Sequence, residues 1–411
     1  MTPPRPFRAA VTGLGLVTPA GVGVDENWKR VLSGVPAASA DPELVGLPVD
    51  FSCRVPADFD PVAVLGRRTA WRLGRHVQLG MVAAREALGD SGLDPGSWDG
   101  ARVGVVMGNS LGGTAAFEEQ HRNLREKGAS SVSSLLLPSY GVNMAAGYIA
   151  IDCGARGPNL AVSTACASGS TAVGVARDLL RNGTCDIVLA GGTEAAVSPS
   201  MIAGLAAAGA LSRRCHDPAT ASRPFDAGRD GFVAGEGAGV LVLEREADAR
   251  ARGARVRGCV SGYGASADAL HDTAPDPEGA GARTAVRAAL ADAGLSGSDI
   301  GHVNAHGTAT RLGDVAEARA IRGAIGPAAL VTSTKGVTGH CMGAAGAIEA
   351  VFTVLALESG LVPPTANLDR ADPEIDCDLV RGTARAVTSG AALNNSFGFG
   401  GQNAVLVLTA A

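Results

Sequence analysis

The chain has 411 residues, of which 46% are hydrophobic and 18% charged, and its formal net charge is −5. This length and composition predict a large core divided between two domains or two copies of one unit. The acidic balance argues against nucleic-acid binding. The eight cysteines form no CxxC pair, which argues against a zinc or thioredoxin-type site.

The alternation of local patterns along the chain predicts an α/β fold. Short β-rich runs end at Gly, Ser or Asn and give way to Ala-rich stretches of helical periodicity, which is typical of βαβ units and of sheets covered by helices. The predicted strands are 9–11, 103–107, 160–162, 187–190, 240–243, 256–260, 302–304, 330–333 and 405–408. The predicted helices are 71–88, 168–180, 281–293, 315–325 and 344–357, with Asp314 as an N-cap.

A charged, helix-like segment at 245–257 separates two parts of the chain that both alternate strand and helix. We therefore predict an N-terminal half, 1–255, that carries the candidate nucleophile, and a C-terminal half, 256–411, that carries the candidate histidines. An internal duplication agrees with this pattern, although no strong sequence repeat accompanies it. The first residues lack an apolar signal core, and no uninterrupted apolar run has the length of a membrane span, so we expect a cytoplasmic protein without membrane attachment.

Cys166 has the sequence context of a nucleophile. It lies in VSTACASG at 162–169, between a predicted strand and a predicted helix. A strand, a sharp turn and a helix N-terminus are typical of a nucleophile elbow, and the helix N-terminus is expected to favour the thiolate. The alternative is a buried cysteine that acts as a small hydrophobic residue, which is how we interpret the other cysteines.

Two histidines lie in glycine-containing loops that follow predicted strands. His306 is in NAHGTAT and His340 ends STKGVTGH, and the carboxyl ends of strands are where open α/β sheets place their sites. The alternative is a structural loop histidine. Lys335 and Glu349 are candidates for either direct chemistry or a structural ion pair, because a carboxylate buried on the helix after His340 needs a cation.

The glycine-rich segment NNSFGFGGQN at 394–403 precedes the last predicted strand. It lacks a GKS/T sequence and is followed by a strand rather than a helix, which excludes a phosphate-binding loop. Its glycines permit close approach of the backbone to a ligand, so we predict a hinged loop that donates a backbone N–H to an oxyanion.

Several motifs together resemble one known family. They are AVTGLG at 10–15, STACASG at 163–169, AGGTE at 190–194, RPFD at 223–226, RDGFVAGEGAG at 229–239, NAHGT at 304–308, STKGVTGH at 333–340 and NSFGFGG at 395–401. In this order they resemble the β-ketoacyl-acyl carrier protein synthases of the elongating, synthase II type, including the related ketosynthases of type II polyketide synthases. The resemblance implies a thiolase-like, five-layer αβαβα fold with two similar βα halves, central mixed sheets and a dimeric assembly.

The resemblance also assigns roles to individual residues. Cys166 matches the acyl acceptor, His306 and His340 match the histidine pair, and Lys335 and Glu349 match supporting charged residues. In addition, Thr308 and Thr310 match contacts of the phosphopantetheine arm, and Phe399 matches a gating residue whose N–H joins that of Cys166 in the oxyanion hole. Candidates for an apolar acyl tunnel are Leu111, Ile202 and Phe232. Candidates for docking an acidic carrier protein are Arg67, Arg68, Arg72, Arg75, Arg213 and Arg214.

The implied reaction is a decarboxylative Claisen condensation. An acyl group on Cys166 is joined to malonyl-acyl carrier protein, which lengthens a fatty acid or polyketide by two carbons. Both substrates are carried on the phosphopantetheine of an acyl carrier protein, and no metal or redox cofactor is needed because loss of CO₂ drives the step. Three readings stay open. The first is a fatty-acid-type elongating ketosynthase that is active as a homodimer, the second a polyketide or polyene ketosynthase paired with a chain-length partner, and the third a non-catalytic subunit, against which Cys166, His306 and His340 argue.

Overall fold

The structure is a computed structural model that describes residues 6–411. Residues 1–5 of the predicted N-terminal half lie outside the described residues. The strands are β1 (Ala9–Thr18), β2 (Gly21–Val22), β3 (Ser39–Ala40), β4 (Phe51–Ser52), β5 (Val103–Gly108), β6 (Asn159–Val162), β7 (Ile187–Ala195), β8 (Glu236–Arg245), β9 (Gly258–Ala267), β10 (His302–Asn304), β11 (Leu330–Thr332), β12 (Leu361–Val362), β13 (Asp378–Leu379), β14 (Arg385–Ala386), β15 (Ala391–Gly398) and β16 (Gln402–Thr409).

The helices range from single turns to 17 residues. They are α1 (Val24–Ser33), α2 (Pro61–Leu65), α3 (Arg67–Ala70), α4 (Arg75–Ser91), α5 (Thr114–Lys127), α6 (Leu136–Tyr140), α7 (Met144–Cys153), α8 (Ser168–Arg181), α9 (Pro199–Ala207), α10 (Glu246–Ala251), α11 (Ala280–Ala293), α12 (Arg311–Ile325), α13 (Lys335–Thr338) and α14 (Ala345–Ser359). Short 3-10 turns lie at Pro42–Leu44, Gly100–Arg102, Ala129–Ser131, Pro218–Thr220, Gly297–Asp299 and Met342–Ala344.

The sheet topology repeats itself. The strand order is β6-β5-β7-β8-β1 in the first half of the chain and β11-β10-β15-β16-β9 in the second. When the five strands of each path are numbered in chain order, both orders read third, second, fourth, fifth, first, and β13 extends the second path beyond β11. Each half is mixed: β5 pairs in parallel with β6 and β7, β10 pairs in parallel with β11 and β15, and the remaining pairs in both paths are antiparallel. This repetition confirms the two similar βα halves with mixed sheets.

The two halves meet along strands and along helices. β1 pairs with β9 in an antiparallel register, with Ala9 opposite Val260. Helices α8 and α14 pack against each other between the two sets of strands. They approach so closely that a Cβ at Gly169 would lie 2.5 Å from the Ala347 backbone nitrogen. Helices α4 and α7 cover the other face of the first half, and α11 and α12 cover that of the second. The order helix, strand, helix, strand, helix confirms the predicted five-layer α/β fold.

Helix α14 and the turn before it form the most apolar segment. Met342–Ser359 is 18 residues long and apolar enough to cross a membrane by composition, but 83% of it is buried inside the protein. Its position between the two sets of strands explains this composition, since a helix surrounded by protein on all sides has no polar face.

Three local predictions need correction. The helix predicted at 71–88 begins at Arg75 and ends at Ser91, where Gly92 adopts the left-handed conformation with φ 66°. Asp314 does not cap α12, because Thr310 is the N-cap residue. The Asp314 carboxylate instead accepts hydrogen bonds from the backbone N–H groups of Phe225 at 2.7 Å and Ala309 at 3.1 Å. The segment 394–398, predicted as part of a loop, belongs to strand β15.

Candidate active site

Cys166 lies at the tip of a tight turn between β6 and α8. Ala165 before it has φ 49°, a conformation that a residue with a Cβ adopts only where its surroundings impose it. Ser168, the first residue of α8, holds the turn, because its hydroxyl accepts from the Thr164 N–H at 2.9 Å and donates to the Ala165 carbonyl at 2.6 Å. The predicted nucleophile elbow is therefore present in the backbone.

His306 is positioned by the first turns of α12. It follows parallel strand β10, and its backbone N–H and that of Gly307 donate to the Glu317 carboxylate at 2.8 and 2.7 Å. Gly307 has φ 34°, and a Cβ there would lie 2.6 Å from Ser333 Cβ. The glycine is required because the loops that carry His306 and Ser333 touch at this point.

His340 is held by backbone hydrogen bonds to the segment before β8. Its N–H donates to the Val233 carbonyl at 2.8 Å, and its carbonyl accepts from the Gly235 N–H at 2.9 Å. The loop lies between β11 and α14, the third strand and its following helix in the second half. Cys166 lies between β6 and α8, which is the matching junction of the first half.

The two imidazoles face each other. The ring centroids of His306 and His340 are 5.3 Å apart with the ring planes at 86°, and both side chains are buried. Phe232 packs edge-on against His340 with centroids 5.2 Å apart, and Phe397 packs against His306 at 5.9 Å. Aromatic rings on both sides fix the orientation of the pair.

A buried ion pair supports His306. Lys335 and Glu349 form a short contact, and both side chains are nearly inaccessible to solvent. Lys335 Nζ also lies 3.5 Å from His306 Nδ1. An ammonium group is a donor only, so Nδ1 is the acceptor, and a neutral His306 carries its proton on Nε2.

Burial sets the protonation states of these groups. It lowers the pKa of His306 well below its ordinary value, with further lowering by the charge of Lys335 and by His340. Burial and Lys335 likewise lower the pKa of His340. Burial raises the pKa of Glu349 to about 7 against the opposing effect of Lys335. Both imidazoles are therefore neutral near pH 7 and available as hydrogen-bond donors.

The Cys166 thiol differs from the sequence expectation. Burial raises its pKa to about 11, and the charge of Lys335 and the backbone N–H groups of Phe399 and Cys166 only partly oppose this rise. This rise opposes the thiolate that we expected at the N-terminus of α8, because desolvation by the surrounding protein disfavours the charged form.

One cavity of about 830 Å³ contains most of the predicted site. Its lining includes Cys166, His306, His340, Phe399, Thr308, Thr310, Leu111 and Phe232. Lys335 and Glu349 lie behind the histidines and do not line it. Ile202 does not line it either, since its side chain is buried in an apolar cluster with Phe232 and Met342.

Sequence reasoning missed several apolar lining residues. Met201 and Leu205, four residues apart on α9, line the cavity in place of Ile202, and Met342 lines it after the His340 loop. The spacing of four residues puts Met201 and Leu205 on one helix face, but the sequence does not show that this face is the one turned to the cavity.

The glycine-rich segment is a β-hairpin whose turn faces the nucleophile. Strands β15 and β16 pair antiparallel, and Phe399, Gly400 and Gly401 form the turn, with φ 80° and 69° at the two glycines. A Cβ at Gly398 would lie 2.8 Å from the Thr164 carbonyl oxygen, so only glycine lets the hairpin reach the elbow. This approach brings the Phe399 N–H to the sulfur of Cys166.

A buried carboxylate unnoticed in the sequence joins two sides of the cavity. Glu194, the last residue of AGGTE, accepts from the backbone N–H groups of Ser110 at 2.8 Å, Leu111 at 3.3 Å and Gly343 at 3.3 Å. Burial raises its pKa to about 7, and hydrogen bonds from the Ser110 side chain and backbone lead the opposing effects. Glu194 thus links the Leu111 loop to the turn that follows His340.

The predicted docking arginines lie outside the cavity. Four of them, Arg67, Arg68, Arg72 and Arg213, are exposed. The other two are half-buried and have partners within the chain. Arg75 forms an ion pair with Glu236 at 2.8 Å, and Arg214 donates to the Gly228 carbonyl at 2.7 Å. The exposed four are the arginines free to meet another protein.

A five-layered α/β chain with a cysteine and two histidines around one cavity has the architecture of a thiolase-like enzyme. Two family models match it: "Beta-ketoacyl synthase, N-terminal domain" over residues 7–249 and "Beta-ketoacyl synthase, C-terminal domain" over residues 257–369. The chain belongs to the β-ketoacyl synthase family.

Individual relatives agree with this assignment. The chain is 44% identical to 3-oxoacyl-acyl-carrier-protein synthase 2 of Vibrio harveyi, over 97% of this chain and 98% of that protein. It is similar to the crystal structure of a β-ketoacyl synthase from Burkholderia phymatum, with a TM-score of 0.92 and 34% identity over 98% of this chain and 100% of that chain. It is also similar to the ishigamide ketosynthase/chain length factor, with a TM-score of 0.90 and 33% identity over 99% and 100% of the two chains.

Proposed function

We propose that the protein is an acyltransferase that condenses an acyl thioester with malonyl-acyl carrier protein and extends a fatty acid or polyketide chain by two carbons. The observation that carries the proposal is the convergence of Cys166, His306 and His340 on one cavity. The cavity has an apolar lining for an acyl chain and an opening to the surface for a carrier-bound arm. No part of the mechanism requires a metal or a redox cofactor.

The first half-reaction transfers the acyl group to Cys166. The thiol, which is protonated at neutral pH, attacks the carbonyl of the acyl thioester, and its proton passes to the sulfur of the carrier arm as that sulfur leaves. The N–H groups of Phe399 and Cys166 donate to the oxyanion, and each such donor is typically worth about 3 kcal/mol of barrier. The carrier thiol leaves with a proton.

The second half-reaction forms the carbon–carbon bond. His306 donates from Nε2 to the thioester oxygen of the malonyl group, and His340 donates beside it, so both stabilise the enolate that forms as CO₂ is lost. The enolate carbon then attacks the acyl carbonyl on Cys166, and the sulfur leaves. Lys335 acts on His306, holding Nδ1 as an acceptor and Nε2 as a donor toward the cavity.

The partner we propose is an acyl carrier protein, which the name of the Vibrio harveyi relative contains. Carrier proteins are acidic, and the exposed residues Arg67, Arg68, Arg72 and Arg213 offer them a basic surface. We expect Thr308 and Thr310, which line the cavity, to contact the phosphopantetheine arm on its way to Cys166. We place the enzyme in the cytoplasm, where such carriers are found, and we place the division between its halves at 255/256, beside the β1–β9 seam.

The alternative is the catalytic subunit of a type II polyketide or polyene synthase. The similarity to the ishigamide ketosynthase/chain length factor favours it. The two alternatives differ in assembly, since the first is active as a homodimer and the second needs a chain-length partner. Sedimentation of the purified protein, with elongation assayed alone and after co-expression with candidate partner subunits, separates them.

Intact-protein mass spectrometry tests the proposal itself. Exposure of the enzyme to acyl carrier proteins loaded with straight chains of different length should add one acyl group at Cys166, and malonyl-acyl carrier protein should then remove it as product. Cys166→Ala should show neither step, while Cys215→Ala, at an exposed cysteine outside the cavity, should show both. Acylation that persists in Cys166→Ala would refute the assignment.

A further inference from the structure

One charged side chain at the mouth of the cavity has no role in the chemistry described so far. Arg311 is the first residue of α12 and is the only lysine or arginine in the cavity lining of residues 6–411. Its Nε donates to the Arg229 carbonyl at 3.3 Å. Within residues 6–411, no carboxylate lies within 4.0 Å of the guanidinium, and its two terminal nitrogens make no hydrogen bond.

The position of Arg311 along the cavity follows from the segment that carries it. His306 and Thr308 are each 8% exposed, Thr310 is half-buried, and Arg311 is exposed, while all four line the same cavity. The segment therefore runs from the reacting end of the cavity to its opening. A molecule whose thioester reaches Cys166 along this segment passes Arg311 at the opening of the cavity.

The acidic side chains at the same opening are engaged within their own loops. Asp230 accepts from the Ser212 hydroxyl at 2.6 Å, Asp268 accepts from the Asn403 amide at 2.7 Å, and Asp276 accepts from the Ala280 N–H at 3.0 Å. None of them pairs with Arg311. Among the residues that the structure describes, the guanidinium is thus the one cation of the cavity lining that is free to meet an anion.

We propose that Arg311 binds the phosphate of the phosphopantetheine arm. The proposal rests on the proposed function, because that arm carries its thioester at one end and its phosphate at the other. A guanidinium presents paired N–H donors that match phosphate oxygens, which a neutral residue at the opening cannot do. Arg311 therefore favours a phosphorylated pantetheine over the same thioester without phosphate.

The test removes the phosphate from the substrate and the guanidinium from the enzyme in turn. The probes are acyl-phosphopantetheine and acyl-pantetheine, which carry the same acyl group and differ only in the phosphate. Mass spectrometry gives the second-order rate of Cys166 acylation by each. Wild-type enzyme should prefer the phosphorylated probe by about five- to tenfold, the size expected of one charge-assisted contact at an exposed site.

The variants give the decisive comparison. Arg311→Ala should lose that preference and leave the rate with acyl-pantetheine unchanged, Arg311→Lys should retain part of the preference, and Arg381→Ala, at an exposed arginine outside the cavity, should retain all of it. An equal preference in Arg311→Ala and wild type overturns the inference, as does a wild type without preference. Failure of the proposed function looks different, because then neither probe acylates Cys166 in any of these proteins.

Discussion

At the scale of single residues, the reactive sulfur is kept protonated until substrate arrives. Desolvation dominates at Cys166, and it also keeps His306 and His340 neutral. A neutral thiol beside neutral imidazoles avoids a charge that the surrounding protein would solvate poorly. The proton then moves only as the carbonyl is attacked, when the oxyanion donors are engaged.

This arrangement predicts how Cys166 is alkylated. Because burial raises the pKa of the thiol to about 11, its reaction with iodoacetamide should accelerate about tenfold per pH unit and still be rising near pH 10. N-acetylcysteine, treated in parallel, should level off above its pKa of about 8.5. Peptide mapping by mass spectrometry isolates Cys166 from the other cysteines. A plateau below pH 8 would instead indicate a thiolate stabilised by α8.

The buried pair of Lys335 and Glu349 makes a second prediction. Lys335→Ala leaves the Glu349 carboxyl buried without a cation, which typically costs about 3–5 kcal/mol in the free energy of unfolding. The charge of Lys335 opposes the effect of burial on the pKa of Glu349, so the loss of Lys335 raises that pKa further. When the pKa of a carboxyl is raised in the folded state, the folded protein loses stability as pH rises through that pKa. The loss in free energy of unfolding relative to wild type should therefore grow from acid to alkaline pH. Urea denaturation at several pH values measures it.

A double substitution separates stability from chemistry at this pair. Lys335→Met with Glu349→Leu removes both charges and should recover most of the lost stability. It should not recover condensation, because the proton on His306 is no longer directed to Nε2. Full activity in the stable double variant would show that the pair acts only through folding.

At the scale of elements, most strands and helices follow from pattern alone. Buried strands such as β7 and β8 contain continuous apolar runs at 187–190 and 240–243, and α8, α11, α12 and α14 have clear periodicity and stop signals. The sequence analysis did not predict strand β15, because asparagine, at Asn394 and Asn395, is rare in strands and serine, at Ser396, has no strong preference for them. Tertiary contacts hold them there: Asn394 donates to the Gly346 carbonyl at 2.9 Å, Asn395 to Glu317 at 3.0 Å, and Ser396 meets Ser170 at 2.8 Å.

The sequence likewise predicted some parts of the site and not others. The motifs identified Cys166, His306 and His340, because each lies in a short sequence motif between a predicted strand and a predicted helix. The residues of the acyl tunnel were harder to predict from the sequence. Ile202 and its neighbours on α9 are all apolar, and only the orientation of the helix decides which of them faces the cavity. The rise in the pKa of Cys166 could not be predicted from the sequence either, because it depends on how much protein surrounds the sulfur.

At the scale of the whole molecule, the proposed division at 255/256 predicts that the enzyme tolerates a cut there. Fragments 1–255 and 256–411 made together should co-purify, since β1 pairs with β9 and α8 packs on α14. Affinity capture of one fragment, followed by acylation of Cys166, measures reassembly. A cut inside α8 between residues 175 and 176 should yield no acylated complex. Equal behaviour of both cuts would count against this boundary.

The repeated strand order places the Cys166 and His340 junctions at matching points of the two halves. An ancestor made of two identical subunits would have presented that junction twice across its symmetry axis. Fusion of two such copies in one chain would have released them from being identical. A thiol could then evolve at one junction and an imidazole at the other.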